Sequence, residues 1–149
     1  RLGARGRSTL IDALSFGQFN KGFGPARTRF DWLSRDQEEV DRYMSDPRCG
    51  FLSSTSLWLS LLETMAEVSR PANQAKIPKD MPVYVFSGTH DAANERTKSV
   101  ERLLAAYRRA GLRDLTYRFY PEGRHEMLNE TNRDEVIRDL LAWLERVTK

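Results

Sequence analysis

Two residues, Asp91 and His125, have the types and the spacing to do acid–base chemistry together. Asp91 ends the stretch Gly88-Thr89-His90-Asp91, which follows the apolar run Pro82-Val83-Tyr84-Val85-Phe86-Ser87. His125 lies in Glu122-Gly123-Arg124-His125-Glu126, just past Leu115-Thr116-Tyr117-Arg118-Phe119-Tyr120. A carboxylate beside an imidazole fixes the ring's tautomer and orientation and stabilises the imidazolium that forms when the ring takes a proton. An imidazole so held can deprotonate a hydroxyl nucleophile. Quieter readings stand beside this one. An Asp after a strand is most often a turn residue that engages nearby amides, and a lone loop histidine is more often structural or solvated. His90 suits that role better than His125, because it directly precedes the acid and has no partner in the second loop. An acid after one run and a histidine after the next, with one helix between, is the specific signal.

These loops need strands to place them. Both apolar runs are rich in β-branched and aromatic residues, the composition of strands covered on both faces. Between them Val100, Leu103, Leu104, Tyr107 and Ala110 recur at helical spacing, and Gly111 stands where a helix C-terminal glycine belongs. A last helix is expected from near Asn132, with Asn132 and Glu135 as a capping box. Val136, Ile137, Leu140, Leu141, Leu144 and Val147 form its apolar stripe. Strand, helix, strand, helix with short links over 81–149 predicts an α/β unit with a parallel pair and a right-handed crossover. In such sheets functional groups gather at the C-terminal ends of the strands, which puts Asp91 and His125 on one edge.

Residues 1–80 lack this strand rhythm. Aromatics and glycines cluster early, among them Phe16, Phe19, Phe23 and Trp32. One helix is expected from a cap at Ser34, with Gln37 as reciprocal partner, through Met44. A second is expected over Thr55 to Val68, ending before Pro71, with Ala72 to Asp80 as a polar connector. This part reads as helical decoration on a sheet. Two strands are too few for an independent parallel sheet, so further strands are expected upstream of Arg1.

Composition narrows the function class. No run approaches the roughly 18 apolar residues of a membrane span. Twenty-four basic residues face twenty-one acidic ones, interleaved along all 149 positions. A nucleic-acid footprint needs its basic residues gathered on one face, so no nucleic-acid partner is expected. The one cysteine, Cys49, forms no internal disulfide, which fits a reducing, cytoplasmic compartment. With two histidines and one cysteine, no metal site is expected.

Three stretches resemble the α/β-hydrolase fold, in particular its monoacylglycerol-lipase and lysophospholipase-like, serine-aminopeptidase-type branch. Val83 to Asp91 looks like the strand leading to the triad acid, and Tyr120-Pro121-Glu122-Gly123-Arg124-His125-Glu126-Met127-Leu128-Asn129-Glu130 is similar to the histidine loop. Phe30 to Asp36 and Asp46 to Phe51 resemble the lid of bacterial members. The resemblance implies the C-terminal part of an α/β-hydrolase: a lid or cap over 1–80 and a βαβα core over 81–149, with Asp91 as triad acid and His125 as general base. It implies hydrolysis of carboxylic, lipid-like esters such as monoacylglycerols or lysophospholipids, with no cofactor. Two departures stand out. Ala92 and Ala93 follow the acid where the family often has Pro and an aliphatic residue, and no G-x-S-x-G elbow is present. Gly6-Arg7-Ser8-Thr9-Leu10 comes nearest but lacks the second glycine. The expected partners are therefore the serine-bearing N-terminal half of the same fold and a small ester or lipid, with transient membrane-surface contact through the lid. Alone, these residues are expected to be inactive. Leu57, Trp58, Leu61 and Leu62 read either as core or as an acyl-chain wall. The competing readings are a non-catalytic binding module, and an aminopeptidase or haloperoxidase on the same scaffold.

Overall fold

The computed structural model describes residues 3–149, so the first two residues of the expected 1–80 segment lie outside it. The α/β unit follows the apolar pattern. Strand β1 (Val83–Gly88) and strand β2 (Leu115–Tyr120) pair in parallel, in a register that sets Val83 opposite Leu115 and Gly88 opposite Tyr120. Helix Lys98–Arg109 links them, and helix Arg133–Val147 closes the chain. Gly111 ends the linking helix in left-handed backbone (φ +91°). There Leu112 N donates to Tyr107 O and Gly111 N to Arg108 O, the paired bonds of a Schellman motif. Tyr120, Met127 and Val136 make the buried cluster under the sheet, and Phe86 packs on it. Ile137, Leu141 and Leu144, on the other side of the last helix, stay exposed.

The elements before Met81 are helices joined by turns and loops, with no strand among the described residues. In chain order they form α1 (Thr9–Leu14), α2 (Phe16–Phe19), α3 (Gln37–Ser45), α4 (Thr55–Val68) and α5 (Pro71–Gln74), which makes the helices of the α/β unit α6 and α7. Three local expectations need correction. Asp36, not Ser34, caps α3, accepting from the amides of Glu38 and Glu39. Ser34 is engaged elsewhere: its hydroxyl donates to Asn129 O at 2.7 Å and accepts from Asp36 N. Asn132 and Glu135 bond side chain to side chain at 2.9 Å rather than as a capping box, because Asn132 Oδ1 already accepts from Arg35. The expected connector begins with the short helix α5, for which Pro71 supplies a preset φ at the first turn.

The helical segment is tied to the sheet unit by a strip at residues 31–36. His125 N donates to Trp32 O and Glu126 N to Leu33 O. Glu130, fully buried, is the centre of this seam. One of its oxygens accepts from the amides of Arg35 and Arg124, and the other from Arg35 Nε at 2.8 Å and Thr131 N at 2.9 Å. A buried carboxylate is tolerable only when its lone pairs are so filled. Arg133 adds ion pairs to Asp36 and Glu39 across the same seam.

Candidate active site

The two strand-end loops are laced together where they leave the sheet. Thr89 N donates to Tyr120 O and His90 N to Gly123 O, both at 2.9 Å. The backbones approach so closely that a Cβ on Gly88 would stand 2.0 Å from Gly123 O, and one on Gly123 would stand 2.6 Å from Met127 Sδ. Only glycine fits at position 88, where the clash is with backbone, whereas a side chain at 123 would have to displace the end of Met127. This crossing carries Asp91 and His125 to the same edge of the sheet.

There the carboxylate and the ring meet. His125 Nδ1 lies 2.9 Å from Asp91 Oδ2. Asp91 is 6% exposed at its side chain and His125 is 42% exposed, so the acid is sequestered while the ring reaches solvent. An ionised carboxylate only accepts, so Nδ1 carries the proton and Nε2 keeps a free lone pair. Nε2 has no hydrogen-bond partner among the described residues. The bond to Asp91 holds the His125 pKa above its ordinary value against the opposing effect of burial, and the charges of Asp91 and Glu126 add to the rise.

Asp91 is itself held in place. Its other oxygen accepts from Ala93 N at 2.9 Å, the turn role that an Asp after a strand commonly plays, here combined with the bond to the ring. Asn94 Nδ2 donates to Asp91 Oδ2 at 2.9 Å and also to the buried Ser87 hydroxyl. Asn94 Oδ1 accepts from Thr97 N at 2.8 Å, so the amide is locked at both ends. Asn94 escaped the sequence reading. An amide side chain three positions after the acid was its only signal. His90 is exposed, and no hydrogen bond of its ring occurs among the described residues.

Aromatic rings flank the imidazole. Trp32 is 6% exposed and lies 5.0 Å from the His125 ring, centroid to centroid. Phe19 meets Trp32 edge-on at 4.9 Å, Phe16 stacks on it at 6.3 Å, and Trp58 of α4 reaches Phe16 at 5.3 Å. Phe16, Phe19 and Trp58 thus join the wall, whereas Phe23 lies under the Arg124 guanidinium at 4.4 Å. Leu57, Leu61 and Leu62 are all exposed and pack into no core formed by the described residues. A cavity of about 220 Å³ opens beside the wall, lined by Phe16, Phe30, Trp32, Tyr43 and Phe51 with Arg29 and Arg48. Among the described residues no group of three or more His, Cys, Asp or Glu side chains could hold a metal ion, and no helix is long and apolar enough to cross a membrane.

Known proteins are similar to this chain in sequence family and in fold. A family model described as serine aminopeptidase, S33, matches residues 2–132. A highly thermostable carboxyl esterase from Bacillus coagulans, solved with glycerol, is similar over 95% of this chain and 46% of its own, with a TM-score of 0.86 and 20% identity. A lipase in its open form matches over the same shares, with a TM-score of 0.82 and 25% identity. A monoacylglycerol lipase of Paleococcus ferrophilus matches over 95% of this chain and 55% of its own, with a TM-score of 0.65 and 22% identity. The chain therefore spans about half the length of the solved structures it matches. No curated protein matches its sequence.

Proposed function

Because the chain belongs to the serine aminopeptidase S33 family, a family of α/β-hydrolases, we propose that it is the acid- and base-bearing portion of a serine hydrolase acting on carboxylic esters. The observation that carries the proposal is the 2.9 Å contact of Asp91 with His125 Nδ1, which leaves Nε2 free beside an aromatic wall. In the proposed reaction, Nε2 takes the proton of a serine outside these residues as the hydroxyl attacks the ester carbonyl. Asp91 holds the ring and stabilises the imidazolium. His125 then protonates the leaving alcohol, and water activated by the same nitrogen releases the acid from the acyl-enzyme. Without the serine, and without the oxyanion donors that accompany it, these residues alone are inactive.

Residues 1–80 serve as a lid or cap in this reading, and 81–149 as core. The aromatic cavity of about 220 Å³ is smaller than the roughly 300–1,000 Å³ of whole small-molecule pockets. It suits one apolar arm of an ester, which favours monoacylglycerols, lysophospholipids or similar lipids. The exposed leucines of α4 would meet lipid or the remainder of the fold. No cofactor is invoked, and the lone Cys49 favours a cytoplasmic setting.

A second reading, an aminopeptidase, is favoured by the description of the matching family. Assays of the full-length protein on p-nitrophenyl esters and aminoacyl anilides separate the two. Esters are expected to be cleaved faster, and His125→Ala is expected to lower the rate by roughly 10²–10⁴-fold. Faster cleavage of the anilides would replace the ester reading, and full activity in His125→Ala would end both.

A further inference from the structure

The residues just before Asp91 and His125 belong to a different feature. A cavity of about 310 Å³ lies between the turn Asn20–Gly22 and the two strand-end loops, and Arg35, His90, Arg96 and Arg124 line it. Two of its guanidinium groups are held firmly. Arg124 donates to the carbonyls of Asp31 and Ser34 and lies over the Phe23 ring. Arg35 donates to Glu130 at 2.8 Å and to Asn132 at 2.9 Å.

Arg96 brings the third. The Arg96 guanidinium lies against the backbone of Gly22, where a Cβ would stand 3.0 Å from Nη2. Arg96 is the middle of three consecutive residues in left-handed backbone, with φ of 59°, 54° and 74° at Glu95, Arg96 and Thr97. Such backbone is strained for side chains of this kind and persists where the surroundings hold it. Arg96 forms no ion pair among the described residues.

Charge is unbalanced here. Glu122 is the one carboxylate lining the cavity, and it pairs loosely with Arg35 Nη1 at 3.4 Å, which leaves Arg96 and Arg124 without a carboxylate in the cavity. Glu130 is buried behind Arg35, with its oxygens already taken by Arg35, Thr131 and the Arg124 amide. Burial, with the like charge of Arg35, pushes the Arg124 guanidinium below its usual pKa, against the pull of Glu130 and Asp31. An anion among these groups would accept their donors and relieve the repulsion between them.

The geometry points to an oxyanion site, in which Arg35, Arg96 and Arg124, with His90 beside them, bind a phosphate group, either free or as a monoester. Tetrahedral acceptors carrying close to two negative charges serve planar donors on several walls better than a single carboxylate does. Neither Asp91 nor His125 lines the cavity, so the site stands apart from the ester-hydrolase reading.

The test is calorimetric titration of inorganic phosphate into the protein at constant ionic strength, with chloride as the exchanged ion. A saturable one-to-one heat is expected, together with a rise in Tm. Arg96→Glu is expected to weaken binding at least tenfold, and His90→Gln several-fold, with each variant's Tm in chloride checking that it folds. Glycerol 1-phosphate is titrated in parallel. Tighter binding than inorganic phosphate assigns the site to a phosphomonoester such as a lipid headgroup, and weaker binding assigns it to free phosphate. No saturable heat, or an unchanged affinity in Arg96→Glu, overturns the site.

Discussion

Truncating Glu130 tests how the helical segment is held against the histidine loop. The side chain is fully buried, and its oxygens accept from three backbone amides and from Arg35 Nε. Glu130→Ala removes all of these bonds, with a weaker one from the Thr131 hydroxyl, and leaves the Arg35 guanidinium, 26% exposed, without its buried carboxylate. Breaking one side of a buried ion pair costs about 3–5 kcal/mol. For a domain of this size that corresponds to a fall in Tm of roughly 6–20 °C. Glu130→Gln keeps one acceptor oxygen but turns an NH₂ toward Arg35 Nε and Thr131 N, so most of the loss should remain. Glu122→Gln is the control, because that side chain is 73% exposed and touches Arg35 at 3.4 Å. It should change stability by no more than about 0.5 kcal/mol. Urea unfolding followed by tryptophan fluorescence reads all three. A Glu130→Ala loss below about 1 kcal/mol, the scale of a surface pair, would refute the claim that this seam joins the two parts of the chain.

Three further outcomes follow from the site. The Asp91 bond raises the folded pKa of His125, so its stabilising contribution is fully present below the unfolded value near 6.5 and is lost as pH climbs through the folded pKa. NMR titration should show that pKa falling toward the ordinary value in Asp91→Asn, with the pH dependence of stability above 6.5 reduced; an unchanged titration would break the assignment. Gly88→Ala should destabilise by at least about 2–3 kcal/mol and separate the two loops, because its Cβ would meet backbone rather than a movable side chain. Retention of the Asp91–His125 bond in that variant, read from the His125 ring shifts, would contradict the close-approach argument. Asn94→Ala removes one bond that orients Asp91 and, for the ester hydrolysis proposed for the full-length protein, should lower kcat about tenfold with KM little changed. An equal rise in KM would instead indicate a substrate-binding role.

Features set by neighbours along the chain were legible in the amino-acid order. Helix α4 runs over Thr55–Val68 as its apolar spacing predicts, and Gly111 closes α6 because only a residue at ease at positive φ allows the Schellman bonds. The two apolar runs became a parallel pair, and parallel pairing alone sends the loops bearing Asp91 and His125 off the same edge. Tertiary contact decided the rest. Ser34 carries every local mark of a helix cap, yet its hydroxyl bonds Asn129, ninety-five positions away, and Asp36 takes the cap. Trp32 beside His125 and Glu130 in the seam owe their roles to groups brought close only by folding. Periodicity and capping act within a few residues and so can be read in order. A hydrogen bond between distant residues depends on which surfaces the packed core turns toward each other, and that is determined by the whole chain at once.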